Sequence, residues 1–226
     1  MASPKLPNFP NFNQDALEIC WRDCNVSGTV PYRARWKNIT VAPTTGVPCG
    51  ERLMSLDLLN PAGVVQWCRG WDLGATEGAG DYTAGPKIGR LADGRFIVAH
   101  VVREQYGTAK RDHLIKATAA GDGMGLVKQS LPQDPGQAGK GQVAALTSML
   151  AGHQVHSSPE TGDKVVRARP FASQVNAGNV LMLRATWNTA FIDELRLFPN
   201  GRYDDQVDGA SRAFSGLLGQ QVGVFA

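Results

Sequence analysis

Asp204, Asp205 and Asp208 put three carboxylates within five residues, directly after the breaker Pro199-Asn200-Gly201 and at the entrance to an apolar run of helical period. On a helix Asp204 and Asp208 are four apart and Asp205 and Asp208 three apart, so at least two of the carboxylates share a face and repel each other. A bound cation removes that cost. Hard divalent ions such as Mg²⁺ or Mn²⁺ take several anionic oxygens from protein, together with water and phosphate oxygens, and this cluster can supply them. A local role suits the same residues: Asp204 or Asp205 can cap a helix, and carboxylates in a first turn are favoured by the helix dipole. Two distant acids bear on the choice. Asp72 ends an apolar stretch that begins at Val64, and Asp134 opens the turn sequence Asp134-Pro135-Gly136. Each alone also reads as an ordinary cap or turn residue.

The chain around them sets bounds. With 226 residues, 42% of them hydrophobic, it suits one large domain, or one domain with an appendage. No apolar run reaches membrane-spanning length, and the polar start Met1-Ala2-Ser3-Pro4-Lys5 is no signal peptide, so a soluble intracellular protein with no membrane partner is expected. The net charge is only +3, yet residues 87–116 hold seven Lys/Arg against three acids, a bias that suits a polyanion as well as a solvated surface. Cys20, Cys24, Cys49 and Cys68 lack the paired C-x-x-C knuckles of a structural zinc site and read as reduced thiols. Residues 1–60 are irregular and proline-rich, with Trp36–Val41 a possible strand, and read as an extension packed on a main domain at 61–226.

Within that domain, the apolar run 64–74 predicts a buried strand carrying Asp72 near its centre or exit. Residues 81–89 and 95–102 predict two more strands joined by an Asp93-Gly94 turn, hence an antiparallel meander. A helix over 108–120, a strand over 126–131, a helix with Val143, Leu146, Thr147 and Leu150 on one face, a strand at 154–156 and later helices complete an α/β mixed sheet. Asp134 then follows the fourth strand, and Asp204 to Asp208 open a late helix. Acids so far apart in sequence, each at the end of an element that one sheet edge can bring together, suggest a two-metal hydrolase site for in-line phosphodiester displacement.

Six motifs occur in the order found in one family. They are Arg69-Gly70-Trp71-Asp72-Leu73-Gly74, Gly80-Asp81-Tyr82-Thr83-Ala84-Gly85, Gln133-Asp134-Pro135-Gly136-Gln137-Ala138-Gly139-Lys140, Gly162-Asp163-Lys164, Arg167-Ala168-Arg169-Pro170 and the stretch from Phe198 to Asp208. Over residues 64–218 or so the chain resembles the C-terminal nuclease domain of tailed-bacteriophage large terminase subunits. The resemblance implies a ribonuclease-H-like fold, with three antiparallel and then parallel strands flanked by helices. It also implies an endonuclease that uses two divalent ions, Mg²⁺ or Mn²⁺, to cut concatemeric double-stranded viral DNA during packaging, in the cytoplasm of the infected host. On that likeness Asp72 bridges the metals, Asp134 binds one of them, and Asp205 with Asp204 or Asp208 completes the site; which of the late acids ligates stays open. A packaging ATPase, a small terminase subunit and a portal are the implied partners.

The chain departs from the family in having no G-x-x-x-x-G-K-[ST] phosphate loop, so the ATPase domain is expected to be excised or separately encoded. Lys164, Arg167 and Arg169, in what reads as a loop before a helix near 171–175, suit sequence-blind contacts with the DNA backbone, and Lys140 at a helix start could touch a phosphate. His153 and His156 read as structural, and Trp187 with the other tryptophans as core. The rival readings are another ribonuclease-H-like nuclease, such as a junction resolvase or transposase core, and a non-catalytic module that docks DNA or a portal.

Overall fold

The run Val64–Gly70 forms the first strand, β1, and its neighbours follow from the two turns the sequence provides. β2 (Thr83–Leu91) pairs antiparallel with β1, and β3 (Phe96–Glu104) pairs antiparallel with β2. Gly94, at φ 86°, closes the β2–β3 hairpin, while the Asp93 carboxylate accepts from the backbone N–H of Arg95 at 3.0 Å. This computed structural model describes residues 64–218 other than 161 and 184. The expected extension, with its Trp36–Val41 strand and Cys20, Cys24 and Cys49, lies outside the described residues.

Helix α1 (Thr108–Asp122) carries the chain back so that β4 (Val127–Gln133) lies parallel to β1. After α2 (Gln137–Met149), β5 (Val155–Pro159) lies parallel to β4. α3 (Lys164–Asn176), β6 (Val180–Met182), α4 (Asn188–Leu197) and α5 (Asp205–Leu218) complete the fold. The strand order is β5-β4-β1-β2-β3-β6, a mixed sheet with helices on both faces. This is the ribonuclease-H-like arrangement that the sequence reading expects.

Three details differ from expectation. β1 stops at Gly70, and Asp72 sits just beyond it in an isolated bridge with Ala84, whose N–H and C=O pair with those of Asp72 at 3.0 and 2.8 Å. Lys164, Arg167 and Arg169 lie on the first turns of α3 rather than in a loop, because Asp163 caps the helix by accepting from the Val165 N–H at 2.7 Å. β6, parallel to β3, was not anticipated; three residues are too few to show a period.

The four residues 69–72 alternate between the two faces of the sheet. Arg69, buried, crosses to the α1 side and grips Asp122 through two hydrogen bonds of 2.7 and 2.8 Å; Lys87 reaches the same carboxylate at 3.3 Å. Burial alone would raise the Asp122 carboxyl, but these two cations hold it well below the usual carboxylate range. Trp71 fills a small core with Ile115, Ala119, Leu131, Leu146 and Leu150, and its indole donates to Gln129 Oε1 at 2.9 Å.

On the opposite face stands the larger core, built on Phe96, Phe171, Phe191 and Phe214, against which α3, α4 and α5 pack. There α5 lies almost directly on the strand backbones. A Cβ on Gly70 would collide with Gly209 O and Ala213 N, one on Gly209 would meet Pro86 Cδ at 2.7 Å, and one on Gly216 would meet Cys68 Sγ at 2.5 Å. Cys68, the one described cysteine, is buried with a free thiol pushed up to about 12 by that burial.

Since the groups opposing a Gly70 side chain are backbone atoms, Gly70→Ala should cost on the order of 3 kcal/mol, the upper range for overpacking. Urea denaturation monitored by tryptophan fluorescence would show it as a lower midpoint with an unchanged slope.

Candidate active site

The contacts between β1 and α5 run in opposite directions along the two elements. Gly216 faces Cys68, and Gly209 and Ala213 face Gly70. Two residues further along β1 comes Asp72, on the same face, and one turn back along α5 come Asp208 and Asp205. The parallel register extends the pattern across the sheet. Gly70 pairs with Ser130, Ser130 with His156 and Pro132 with Ser158, so Asp134 after β4 and Glu160 after β5 fall at the same sheet edge with the same parity. The Glu160 N–H donates to Gln133 O at 3.0 Å, which continues the ladder to that point.

The electrostatics agree with this placement. Asp72 is raised well above the usual carboxylate range, first by burial and then by Asp208, Asp205 and Glu160, with Arg212 opposing. Asp205, only 3% exposed, is pushed up to about 6 by burial, against the Tyr82 backbone N–H that its carboxylate accepts and reinforced by Glu194 and Asp81. Its Oδ2 is buried without a hydrogen-bond partner. Asp208 is raised by burial, with Arg167 pulling it back.

Cations pair with the acids around the site. Arg167 Nη2 meets Asp208 Oδ1 at 3.0 Å, Lys164 pairs with Asp204, and Arg212 pairs with Glu160 while donating to Ser158 Oγ at 2.9 Å. No three His, Cys, Asp or Glu side chains among the described residues converge at metal-ligating distance. The start of α5 is fixed from the side. Glu194, buried, accepts from the backbone N–H and from the amide of Gln206, both at 2.6 Å, and pairs with Arg103 at 3.4 Å. The Arg103 guanidinium stacks 3.4 Å from the Tyr82 ring centre, and Tyr82 meets Tyr203 edge-on at 4.9 Å.

Of the residues singled out in the sequence, Asp72, Asp205 and Asp208 act directly on one another or on a shared neighbour, and Asp204 lies beside them. Asp134 is exposed in the β4–α2 turn, where Gly139 packs on its carbonyl. Lys140 and Arg169 are exposed, whereas Lys164 and Arg167 are engaged with the acids. Glu160, Arg212 and Glu194 were not anticipated. Arg212 had a signal: it lies four residues after Asp208, on the same helical face. Trp67, Trp71 and Trp187 pack in or against the cores.

A mixed five-strand core order with acids at its C-terminal edge is the frame of ribonuclease-H-like nucleases, and the model of the terminase RNaseH-like domain matches residues 69–216. The chain belongs to that family. Among solved structures, this terminase RNaseH-like domain is similar to the large terminase nuclease from thermophilic phage G20c. The zinc-bound form is 20% identical at a TM-score of 0.51, covering 66% of this chain and 80% of that one; the magnesium-bound form is 18% identical at 0.51, covering 69% and 82%. The large terminase nuclease domain of Thermus phage P74-26 is 17% identical at 0.50, covering 66% and 78%. At such identities the likeness establishes the fold. No curated sequence matches the chain. No helix of the described residues is long and apolar enough to cross a membrane.

Folding raises the Asp205 carboxyl from 3.8 to about 6, so its ionised form opposes folding. The penalty is absent below about pH 4, where the group is protonated folded and unfolded alike, grows as pH rises to about 6, and is full above that. Asp205→Asn should therefore stabilise the metal-free protein by on the order of 1–3 kcal/mol at pH 8. Thermal melts in EDTA should show the gain shrinking to nothing near pH 4.

Proposed function

We propose that this terminase domain is a divalent-metal-dependent endonuclease that cuts double-stranded viral DNA during genome packaging, with little sequence preference. The observation that carries the reading is the convergence on Asp72: acids from α5 and from the end of β5 perturb a carboxyl at the exit of β1. Asp205 Oδ2, buried without a partner, fits a metal ligand, because such an oxygen is costly unless something positive meets it. A donor set made of carboxylates alone suits hard ions such as Mg²⁺ or Mn²⁺ rather than zinc-type sites of Cys and His.

Asp72, Asp205 and Asp208 would hold one or two such ions, and Asp134, Asp204 and Glu160 would complete the coordination. Bound there, the ions supply an activated water and charge stabilisation for the scissile phosphate. The rest falls to the protein. Glu194 and the Tyr82 backbone hold Asp205 in place, and Arg212 tethers Glu160 and offsets part of the negative charge on Asp72. Lys140, Lys164, Arg167 and Arg169 would track the phosphates, contacts that fix the duplex without reading its sequence. The magnesium-bound and zinc-bound nucleases of similar fold support the choice of divalent ions. In this reading the chain works in the host cytoplasm with a terminase ATPase, a small terminase subunit and a portal.

Plasmid cleavage in Mn²⁺ tests the assignment. Loss of several kcal/mol of charge stabilisation corresponds to about a thousandfold in rate, and Asp72→Asn should show a loss of that order with its circular dichroism unchanged. Undiminished cutting by the variant would overturn the site, and a strong preference for branched over linear duplex would point to a resolvase instead.

A further inference from the structure

The ion pairs around the acids are of two kinds. Arg212 is anchored, its side chain 8% exposed and its guanidinium donating to Leu131 O at 3.3 Å and to Ser158 O and Oγ at 3.4 and 2.9 Å, besides its pairing with Glu160. Lys164 and Arg167 are not held in this way. Their side chains are 44% and 28% exposed; apart from the carboxylates of Asp204 and Asp208, Arg167 has a hydrogen bond of 3.0 Å to Gly162 O, within its own helix start. Both lie on one face of α3, three residues apart, and α3 packs on α5. These are the cations that suit DNA phosphates, and their present partners are the carboxylates that suit a metal. One set of charges cannot serve both pairings at once.

We infer that Lys164 and Arg167 form an exchangeable latch, paired with Asp204 and Asp208 in the metal-free protein and released to the DNA backbone when a divalent ion takes those carboxylates. Metal and duplex then bind with positive coupling, without any change of fold. The inference rests on the nuclease reading above. The exchange costs less at these half-exposed pairs than at a buried one, since exposure weakens an ion pair, whereas withdrawing the buried Arg212 would strand several acceptors. By reciprocity, whatever frees the cations for DNA must favour the metal, and the reverse.

Two measurements without turnover test it. In calorimetric titration with Mn²⁺ alone, Lys164→Gln/Arg167→Gln removes the competing cations and should bind Mn²⁺ roughly three- to tenfold more tightly than the unaltered protein. In EDTA, Asp204→Asn/Asp208→Asn should bind a fluorescent duplex more tightly, and its log K against log salt should be steeper by about two phosphate contacts, near 0.9 each. Adding Lys164→Gln/Arg167→Gln to that variant should erase the gain in both affinity and slope. If the gain survives, mere loss of negative charge explains it and the latch is wrong; equal or weaker Mn²⁺ binding by the lysine–arginine variant also overturns it. Failure of the unaltered protein to bind Mn²⁺ at all would remove the nuclease reading itself, and the latch with it.

Discussion

The contact between β1 and α5 admits no bulky side chain, and the site depends on that. Gly70, Gly209 and Gly216 let the helix settle onto the strand backbones, with Ala213 and Cys68 the largest groups at the seam. Close approach fixes the helix in rotation as well as in distance. With the 209–213–216 stripe against the sheet, the neighbouring 205–208–212 stripe must face the strand exits, since residues one position apart are about 100° apart around a helix. Asp205 and Asp208 thus meet Asp72 as a consequence of where glycine stands. A bulkier seam would lift or turn α5 and scatter the acids while leaving the fold class intact.

The segment 69–72 shows how much one strand end can do. Arg69 ties the sheet to the end of α1 through Asp122, Gly70 admits α5, Trp71 fills the smaller core, and Asp72 faces the acids. The strand alternation separates these tasks: Arg69 and Lys87 share the Asp122 carboxylate on the α1 side, while Asp72 turns to the acids of α5. Such a division keeps Arg69 from neutralising Asp72 directly, although only Gly70 and Trp71 lie between them.

Much of this was legible in the chain. The meander, β4, β5 and the helices follow from period and turn residues, and the Asp93-Gly94 turn and the Asp134 position after the fourth strand stand where those signals put them. The site was legible in part. Asp72 and the 204–208 cluster announce themselves by carboxylate spacing, but Glu160 follows a five-residue strand of mixed polarity, Val155–Pro159, that gives an acid no context. Glu194 looks like an exposed residue on an amphipathic helix. Its role appears only when α4 and α5 pack and the Gln206 N–H needs an acceptor. The cations on α3 were visible by type, yet their pairing with Asp204 and Asp208 spans some forty residues of sequence and is set entirely by tertiary packing.

Charge balance links the parts. Asp72, Asp204, Asp205, Asp208 and Glu160, with Asp81 and Glu194 beside Asp205, outnumber the cations that face them, Lys164, Arg167, Arg212 and Arg103. A buried excess cannot be left standing. In the metal-free protein the imbalance shows in the carboxyls themselves: Asp72, Asp205 and Asp208 all rise above the usual range, with burial the first cause in each case. On the proposed reading, a bound divalent ion would supply the missing positive charge. The site is therefore built a little short of positive charge. On the nuclease reading proposed above, that shortfall would give an incoming cation its affinity, and the pairs from α3 would decide how much of that affinity is passed on to DNA.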